Sequence, residues 1–314
     1  MTITLIQGDA RKLALTDASV DLIVTSPPYF ALRSYTDDGK CYSGQVGCES
    51  TLTEYIATLT DCTREWMRVL KPAGSMWINL GDKYNAYNGN RGDGNLQTNN
   101  HRQRVNGGNG LDVKGIKSKS LLGLPWRYAL ACIDQLGLIL RAEVIWNKTN
   151  GMPESVTDRV RRNHEQWFHF VKQPRYFAAV NEIREPYAES NSYSAKQNDL
   201  GKLPGSVWTI ATQPLVVPKG LGVSHSATFP MEWPRRIISG WSRPGGIIVD
   251  PFGGTGTTAL VASALGRHGI SVDMSADYCR LARWRTTDLR QIERARRPIR
   301  VAAMVDEPKK ESND

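Results

Sequence analysis

Apolar and polar positions alternate along the chain in two periods, and the switches between them outline a sheet of buried strands joined by amphipathic helices. The run Val20 to Val24 is short and apolar, as a strand buried on both faces requires. Thr51-x-x-Glu54 has the form of a capping box, and Leu52, Tyr55, Ile56, Leu59, Trp66, Val69 and Leu70 then follow helical spacing until Pro72 and Gly74 end it. Ser75 to Leu80 reads as the next strand. Pro125 to Leu136 reads as a helix stopped by Gly137, and Leu138 to Trp146 as another strand. Near the C-terminus the apolar run Gly246 to Val249, a helical stretch Ala259 to Leu265, the strand Gly269 to Val272 and a long basic helix repeat the alternation. The pattern predicts an α/β fold with a doubly wound, mostly parallel sheet, built as one domain over residues 1–297.

Two regions break the alternation. Residues 83–119 are dense in Gly and Asn, carry Arg91, Arg102, Arg104, Lys114, Lys117 and Lys119, and lack apolar periodicity; they read as a flexible basic loop able to close over a polyanion. Residues 174–218 mix Tyr176, Phe177, Tyr187, Tyr193 and Trp208 with turn formers and are the candidate for sequence recognition. The tail 298–314 is charged, poor in large apolar residues and expected to be disordered.

Charge narrows the partners. Lys and Arg outnumber Asp and Glu 40 to 31, a net charge of +9, with arginines gathered in 159–162, 235–243 and 280–300. A nucleic acid suits that excess, although some of these arginines are expected to lie on solvated helix faces or to pair with neighbouring acids. Five cysteines occur without a Cys-x-x-Cys pair or histidines at ligand spacing, so reduced thiols and no metal are expected. The first residues lack the basic start and apolar core of a signal peptide, and no run reaches transmembrane length; a cytoplasmic, nucleoid-associated protein without membrane contact follows as the expectation.

Two loops carry the chemistry. Thr25-Ser26-Pro27-Pro28-Tyr29 follows the Val20 to Val24 strand. The prolines remove two backbone donors, so the loop presents acceptors; Ser26 adds a hydroxyl and Tyr29 an aromatic face on which a base could stack for roughly 1–3 kcal/mol. Alone it could be no more than a tight turn. Asp250-Pro251-Phe252-Gly253-Gly254-Thr255-Gly256-Thr257-Thr258 lies between a buried strand and a helix, where glycines let a ligand approach backbone at a helix N-terminus. Gly254, Gly256 and Ala259 also match a dinucleotide fingerprint, with Asp273 as the ribose-binding acid, so a NAD-dependent oxidoreductase is an alternative. A noncatalytic DNA-binding module is a third reading, carried by charge alone.

Taken together, the two loops resemble the amino-group DNA methyltransferases that use S-adenosylmethionine. Their order, catalytic loop first, is similar to the circularly permuted beta group of that family. Further segments agree: Leu5 to Asp9, Arg68 to Gly74 leading into Trp77 to Asp82, Trp146-Asn147-Lys148 with Met152 to Ser155, and His225 to Pro230. The resemblance implies a Rossmann-like methyltransferase fold with recognition insertions, in which the strand ending at Gly8-Asp9 lies beside the Asp273 strand, so that the chain ends are close. It implies catalysis by Ser26, Pro27, Pro28 and Tyr29. It further implies S-adenosylmethionine against Phe252, Gly254, Gly256 and Thr257, with Asp273 on the ribose, Asp9 near the adenine, Thr228, Phe229 and Pro230 near the methionine portion, and Asp250 as an anchor behind them. Double-stranded DNA is then the substrate, its target base flipped out. A cognate restriction endonuclease is a candidate partner, and monomer and homodimer are both compatible. In the family a Ser at position 26 is typical of cytosine-N4 enzymes; adenine-N6 is the runner-up. His164, flanked by Asn163 and Glu165, is expected to be structural.

Overall fold

The computed structural model describes residues 2–31, 36–37, 40–41, 44–85, 113–151, 153–187, 198–223 and 228–297. Its strands are β1 (Ile3–Gln7), β2 (Val20–Thr25), the two-residue pair β3 (Thr36–Asp37) and β4 (Lys40–Cys41), β5 (Leu70–Leu80), β6 (Ile139–Asn147), β7 (His164–Val171), β8 (Val207–Thr209), β9 (Ile247–Asp250) and β10 (His268–Asp273). The helices are α1 (Leu52–Val69), α2 (Leu124–Leu136), α3 (Glu232–Trp241), α4 (Thr257–Ala264), α5 (Ala276–Thr287) and α6 (Leu289–Arg296). None of the described helices is long and apolar enough to cross a membrane.

Eight strands form one sheet in the order β1-β10-β9-β2-β5-β7-β6-β8. The first five run parallel, and only β7 is antiparallel to its neighbours β5 and β6. The predicted α/β class with a mostly parallel sheet is therefore the observed one. The first strand pairs with the last: Ile3 to Gln7 lie against Gly269 to Asp273, and the Gly8 amide donates to the Asp273 carbonyl at 2.9 Å. From β9 the chain crosses through α4 to β10 on one side, and from β2 through α1 to β5 on the other. The edge where these connections diverge, at the C-terminal ends of β9 and β2, is where such sheets bind ligands.

Alternation along the central strands builds two cores. Ile23, Met76, Ile78, Val249 and Ile270 face α1 and α2, whereas Leu22, Val24, Trp77, Trp167 and Ile248 face α3, α4 and α6. The capping box forms as the sequence predicts: the Thr51 hydroxyl accepts from the Glu54 amide and Glu54 reaches back to the Thr51 amide. Gly137 caps α2 at φ 65°. The expected long basic C-terminal helix is instead two helices, because Asp288 takes an extended conformation and its carboxylate caps α6 through the Gln291 amide.

Several expectations for the arginines and aromatics change. Arg235 and Arg236 are buried on α3, held by Glu232 and, for Arg236, also Glu185, so they face no external polyanion. Trp208, read as a recognition aromatic, is buried: it pairs β8 with β6 and stacks on Trp233 at 4.8 Å. Tyr176 packs edge-on against His169. Most of the predicted basic loop (86–112), part of the candidate recognition region (188–197) and the tail 298–314 lie outside the described residues.

Close approach of α4 to β10 fixes the geometry at the divergent edge. A Cβ on Gly269 would lie 2.4 Å from the Ala259 carbonyl oxygen and 2.6 Å from the Ala259 Cα, both backbone atoms. Gly269→Ala is expected to lift α4 from the sheet and cost about 1–3 kcal/mol, as overpacking does. Thermal unfolding checks this; an unchanged melting temperature would contradict it.

Candidate active site at the β2 and β9 edge

Asp250 ends β9 and joins the two motif loops. Its carboxylate is fully buried and accepts from the Thr25 hydroxyl at 2.7 Å, the Thr258 hydroxyl at 2.8 Å and the Phe252 amide at 3.2 Å. Thr25 immediately precedes Ser26, so one side chain ties the acceptor loop to the glycine loop. Burial pushes the Asp250 carboxyl up to about 6 from 3.8, against the hydrogen bonds from Thr25 and Thr258 that lower it. With the folded value above the unfolded one, the native state binds the extra proton between these limits. Stability therefore falls as pH rises from about 4 to about 6, and the gap of about 2 pH units corresponds to about 3 kcal/mol. Asp250→Asn removes that slope. The unfolding free energy of wild type minus that of Asp250→Asn is expected to fall across this window and then level off; a difference independent of pH would contradict the assignment.

The glycine loop turns sharply. Gly254 and Gly256 have φ of 49° and 73°, in the left-handed region that glycine tolerates. The Gly253 amide donates to the Val272 carbonyl at 2.8 Å, which holds the loop against β10. Asp273, at the end of β10, accepts from the Gly254 amide at 2.8 Å and the Ser275 amide at 2.9 Å. Ser26, Pro28, Thr228, Phe229, Phe252, Gly254, Thr257 and Asp273 all line one open cleft.

Other predicted residues surround this cleft without lining it. Asp9 is held by the amide and guanidinium of Arg11, whose hydrogen bonds bring its carboxyl below the ordinary range although burial opposes them. Gly256 is the N-cap residue before α4 and packs on Ala282, and Asp250 lies beneath the loops. Pro27 is buried, and among the described residues no donor reaches its carbonyl. Pro230 precedes α3. The Tyr29 ring lies against Gly81, where an added Cβ would be 2.6 Å away, and is not in the cleft wall. Thr255 of the glycine loop also lines the cleft, as do Gln45, Val46, Met274 and Tyr278, which belong to neither motif.

A polar network orients Ser26. The Asn79 side-chain amide donates to the Gln166 carbonyl at 3.1 Å, which turns its oxygen toward Ser26. That oxygen accepts from the Ser26 hydroxyl at 3.1 Å, so the serine hydrogen is taken up inside the protein and its lone pairs are left for an external donor. The Tyr29 hydroxyl lies 2.9 Å from both Asn79 Oδ1 and Glu165 Oε2. Burial, and next the Glu165 carboxylate, push the tyrosine hydroxyl well above its ordinary value, so it stays protonated. Glu165 is paired with Lys148, whose ammonium sits 4.3 Å from the centre of the Trp146 ring. The Pro28 carbonyl is engaged by the Tyr55 hydroxyl at 2.9 Å. Asn79 and Glu165 were not anticipated as site residues; an asparagine inside the apolar run Trp77 to Leu80 was the available signal.

The chain is similar to known proteins in sequence and in fold. A family model described as DNA methylase, for N6 and N4 methylases, matches residues 20–283. Type II methyltransferase M.SmaI of Serratia marcescens is 36% identical over 288 residues, covering 90% of this chain and 89% of that protein. Type II methyltransferase M.XycI of Xanthomonas campestris pv. cyanopsidis is 36% identical, covering 89% and 86%. Among solved structures, the PvuII DNA methyltransferase, described as cytosine-N4-specific, aligns with a TM-score of 0.66 at 21% identity over 94% of this chain and 92% of that one. A putative DNA modification methylase of Thermus thermophilus, complexed with S-adenosyl-L-methionine, aligns at 0.55 and 24% identity over 93% and 96%. At these identities the structural matches speak to the fold.

Proposed function

Since the chain belongs to the N6/N4 DNA methylase family, we propose that it moves a methyl group from S-adenosylmethionine to the exocyclic N4 of a cytosine flipped out of duplex DNA. DNA methyltransferase is the family's activity; base, cofactor contacts and residue roles are the proposal. The observation that carries it is that Ser26, its hydroxyl hydrogen taken up by Asn79, opens into the same cleft as the glycine loop.

The cleft suits the cofactor. Gly253 to Gly256 offer backbone without side chains at three of four positions, Asp273 offers a carboxylate for ribose hydroxyls, and Phe252, edge-on to Trp66 at 5.9 Å, offers a fixed apolar face. Asp9, Thr228, Phe229 and Pro230 complete the surround in the family pattern. When bound, S-adenosylmethionine supplies an electrophilic sulfonium methyl.

The target amine is a weak nucleophile because its lone pair is delocalised into the ring. Ser26 Oγ and the Pro27 carbonyl accept its two N–H groups, which favours a pyramidal nitrogen and stabilises the positive charge that develops as the N–C bond forms and the C–S bond breaks. The extra proton then leaves the nitrogen for solvent. Tyr29 and Pro28 wall the base side of the loop; with the tyrosine hydroxyl tethered to Asn79 and Glu165, an extruded base would meet a ring held in one orientation. Residues 174–218, less the buried Trp208 and the partly buried Tyr176, remain the proposed recognition segment of a single catalytic domain.

Ser26 favours cytosine over adenine by the family pattern. Incubation with duplex DNA and deuteromethyl-labelled S-adenosylmethionine, followed by nucleoside mass spectrometry, tests the reading. Labelled N4-methyldeoxycytidine is expected. Labelled N6-methyldeoxyadenosine would overturn the base assignment and leave the amino-transfer chemistry, whereas absence of both products would overturn the reaction.

A further inference from the structure

Val160 is 85% exposed, the most exposed large apolar side chain among the described residues. Single apolar residues on a surface call for no partner, but the placement of this one does. It lies in the connection between β6 and β7, which leaves and re-enters the sheet at the edge that carries Ser26: Thr25 pairs with Ile78, Leu80 with Gln166, and Asn147 with His164. The Lys148 amide donates to the Asn163 carbonyl at 2.9 Å and closes the base of the connection. Two residues on, Glu165 holds the Tyr29 hydroxyl at 2.9 Å.

Residues 153–163 are stapled in place. Asp158 pairs with Lys119 at 2.8 Å, and the Arg159 guanidinium lies 3.8 Å from the centre of the Tyr84 ring while donating to the Glu154 carboxylate at 2.7 Å and the Val160 carbonyl at 3.0 Å. Arg162 donates to the Gln166 side chain at 3.2 Å. Tyr84 follows Lys83, whose ammonium donates at 3.2 Å to the carbonyl of Ala31, two residues after Tyr29. Each such contact near the surface is weak alone, but together they hold the segment against the elements that flank the acceptor loop. They consume Arg159 and Arg162. Left exposed side by side are Val160 and Arg161, and Arg161 has no ion pair among the described residues.

A fixed apolar tip beside an unpaired cation, next to the acceptor loop, complements a duplex from which one base has been drawn: an apolar gap in the stack with a phosphate alongside. We propose that Val160 is the wedge that enters the duplex at the target site and fills the space vacated by the extruded base, while Arg161 holds an adjacent phosphate. The inference rests on the proposed reaction, which requires the target base outside the stack.

Single-turnover methylation of two duplex oligonucleotides bearing the target site tests it, one fully paired and one with an abasic sugar opposite the target base, where no base pair has to be broken. On the paired duplex, Val160→Gly is expected to lower the rate about 10- to 100-fold relative to wild type, the worth of burying one valine side chain. On the abasic duplex the same variant should come within about threefold of wild type, because the target base is already unpaired. Val160→Ile, which restores an apolar side chain, should recover the paired duplex. Arg161→Ala should weaken binding of both duplexes alike and reduce the salt slope of log Kd by about 1. A Val160→Gly rate unchanged on the paired duplex, or lowered equally on both, would overturn the wedge and leave methyl transfer standing, and an unaltered salt slope in Arg161→Ala would overturn the phosphate contact. Wild type that methylated neither duplex would overturn the proposed function itself.

Discussion

Ser26→Ala is expected to lower kcat for methyl transfer by about 10²-fold while cofactor affinity stays near the wild-type value. The magnitude is that of removing one preorganised polar group from a reacting centre, about 10²–10³ in kcat. The change is confined because Asn79 keeps its bond to the Gln166 carbonyl and its contact with Tyr29, so no buried acceptor is orphaned. Thr25 still anchors the loop to Asp250. Single-turnover kinetics with duplex DNA, alongside titration with S-adenosylhomocysteine, separate the two effects. A Ser26→Ala enzyme with unaltered kcat would remove the serine from the reaction, and one that lost cofactor binding as well would make its role structural.

Gly253→Ala should act on the opposite partner. A Cβ there would fall 1.9 Å from Ser271 Oγ, 2.9 Å from Ser271 Cβ and 3.2 Å from Ser271 Cα. Rotating the serine hydroxyl away removes only the first clash. The loop must then lift from β10, stretching the Gly253 bond to the Val272 carbonyl and the Gly254 bond to Asp273. Two displaced hydrogen bonds, one to a carboxylate, imply a loss in cofactor affinity of about 100-fold, with about 1–3 kcal/mol of stability lost to overpacking. Because Ser271 supplies the clash, Gly253→Ala combined with Ser271→Gly is expected to recover most of the binding. Titration of the single and double variants checks this. Affinity within about twofold of wild type in the single variant would contradict the close approach of loop and strand.

Where local pattern and tertiary demand coincide, the chain could be read directly. The Thr51 to Glu54 capping box, the α2 stop at Gly137 and the strand-to-helix turn after Asp250 each rest on chemistry contained within a few residues. The antiparallel strand β7 was not legible because Trp167, Phe168, Phe170 and Val171 are buried on both faces, and such a run has no alternation to distinguish it. Helix α3 was obscured by Arg235 and Arg236, which read as surface charge until Glu232 and Glu185 are brought to them. Trp208 read as a recognition aromatic for a similar reason: its stacking partner Trp233 lies on a different element.

The site divides along the same line. Residues within the two motifs could be named in advance because their backbone requirements, two prolines and a run of glycines, leave a mark in the sequence. Asn79 and Glu165 could not. Asn79 acts by accepting from Ser26, 53 positions away, and Glu165 by holding Tyr29, 136 positions away. Each is an ordinary polar residue in sequence and acquires a role only through the pairing of distant strands and helices.

Methyl transfer in this cleft requires an extruded base to present its amine to the Ser26 loop, across from the glycine loop. A crystal structure of the full chain with S-adenosylhomocysteine and duplex DNA bearing the target site would test this directly. The predicted result has the exocyclic nitrogen at about 3 Å from both Ser26 Oγ and the Pro27 carbonyl oxygen, with the cofactor sulfur on the Gly254 side. A base stacked in the duplex with its amine remote from Ser26, or an extruded base turned so that a ring carbon faces the sulfur, would contradict it.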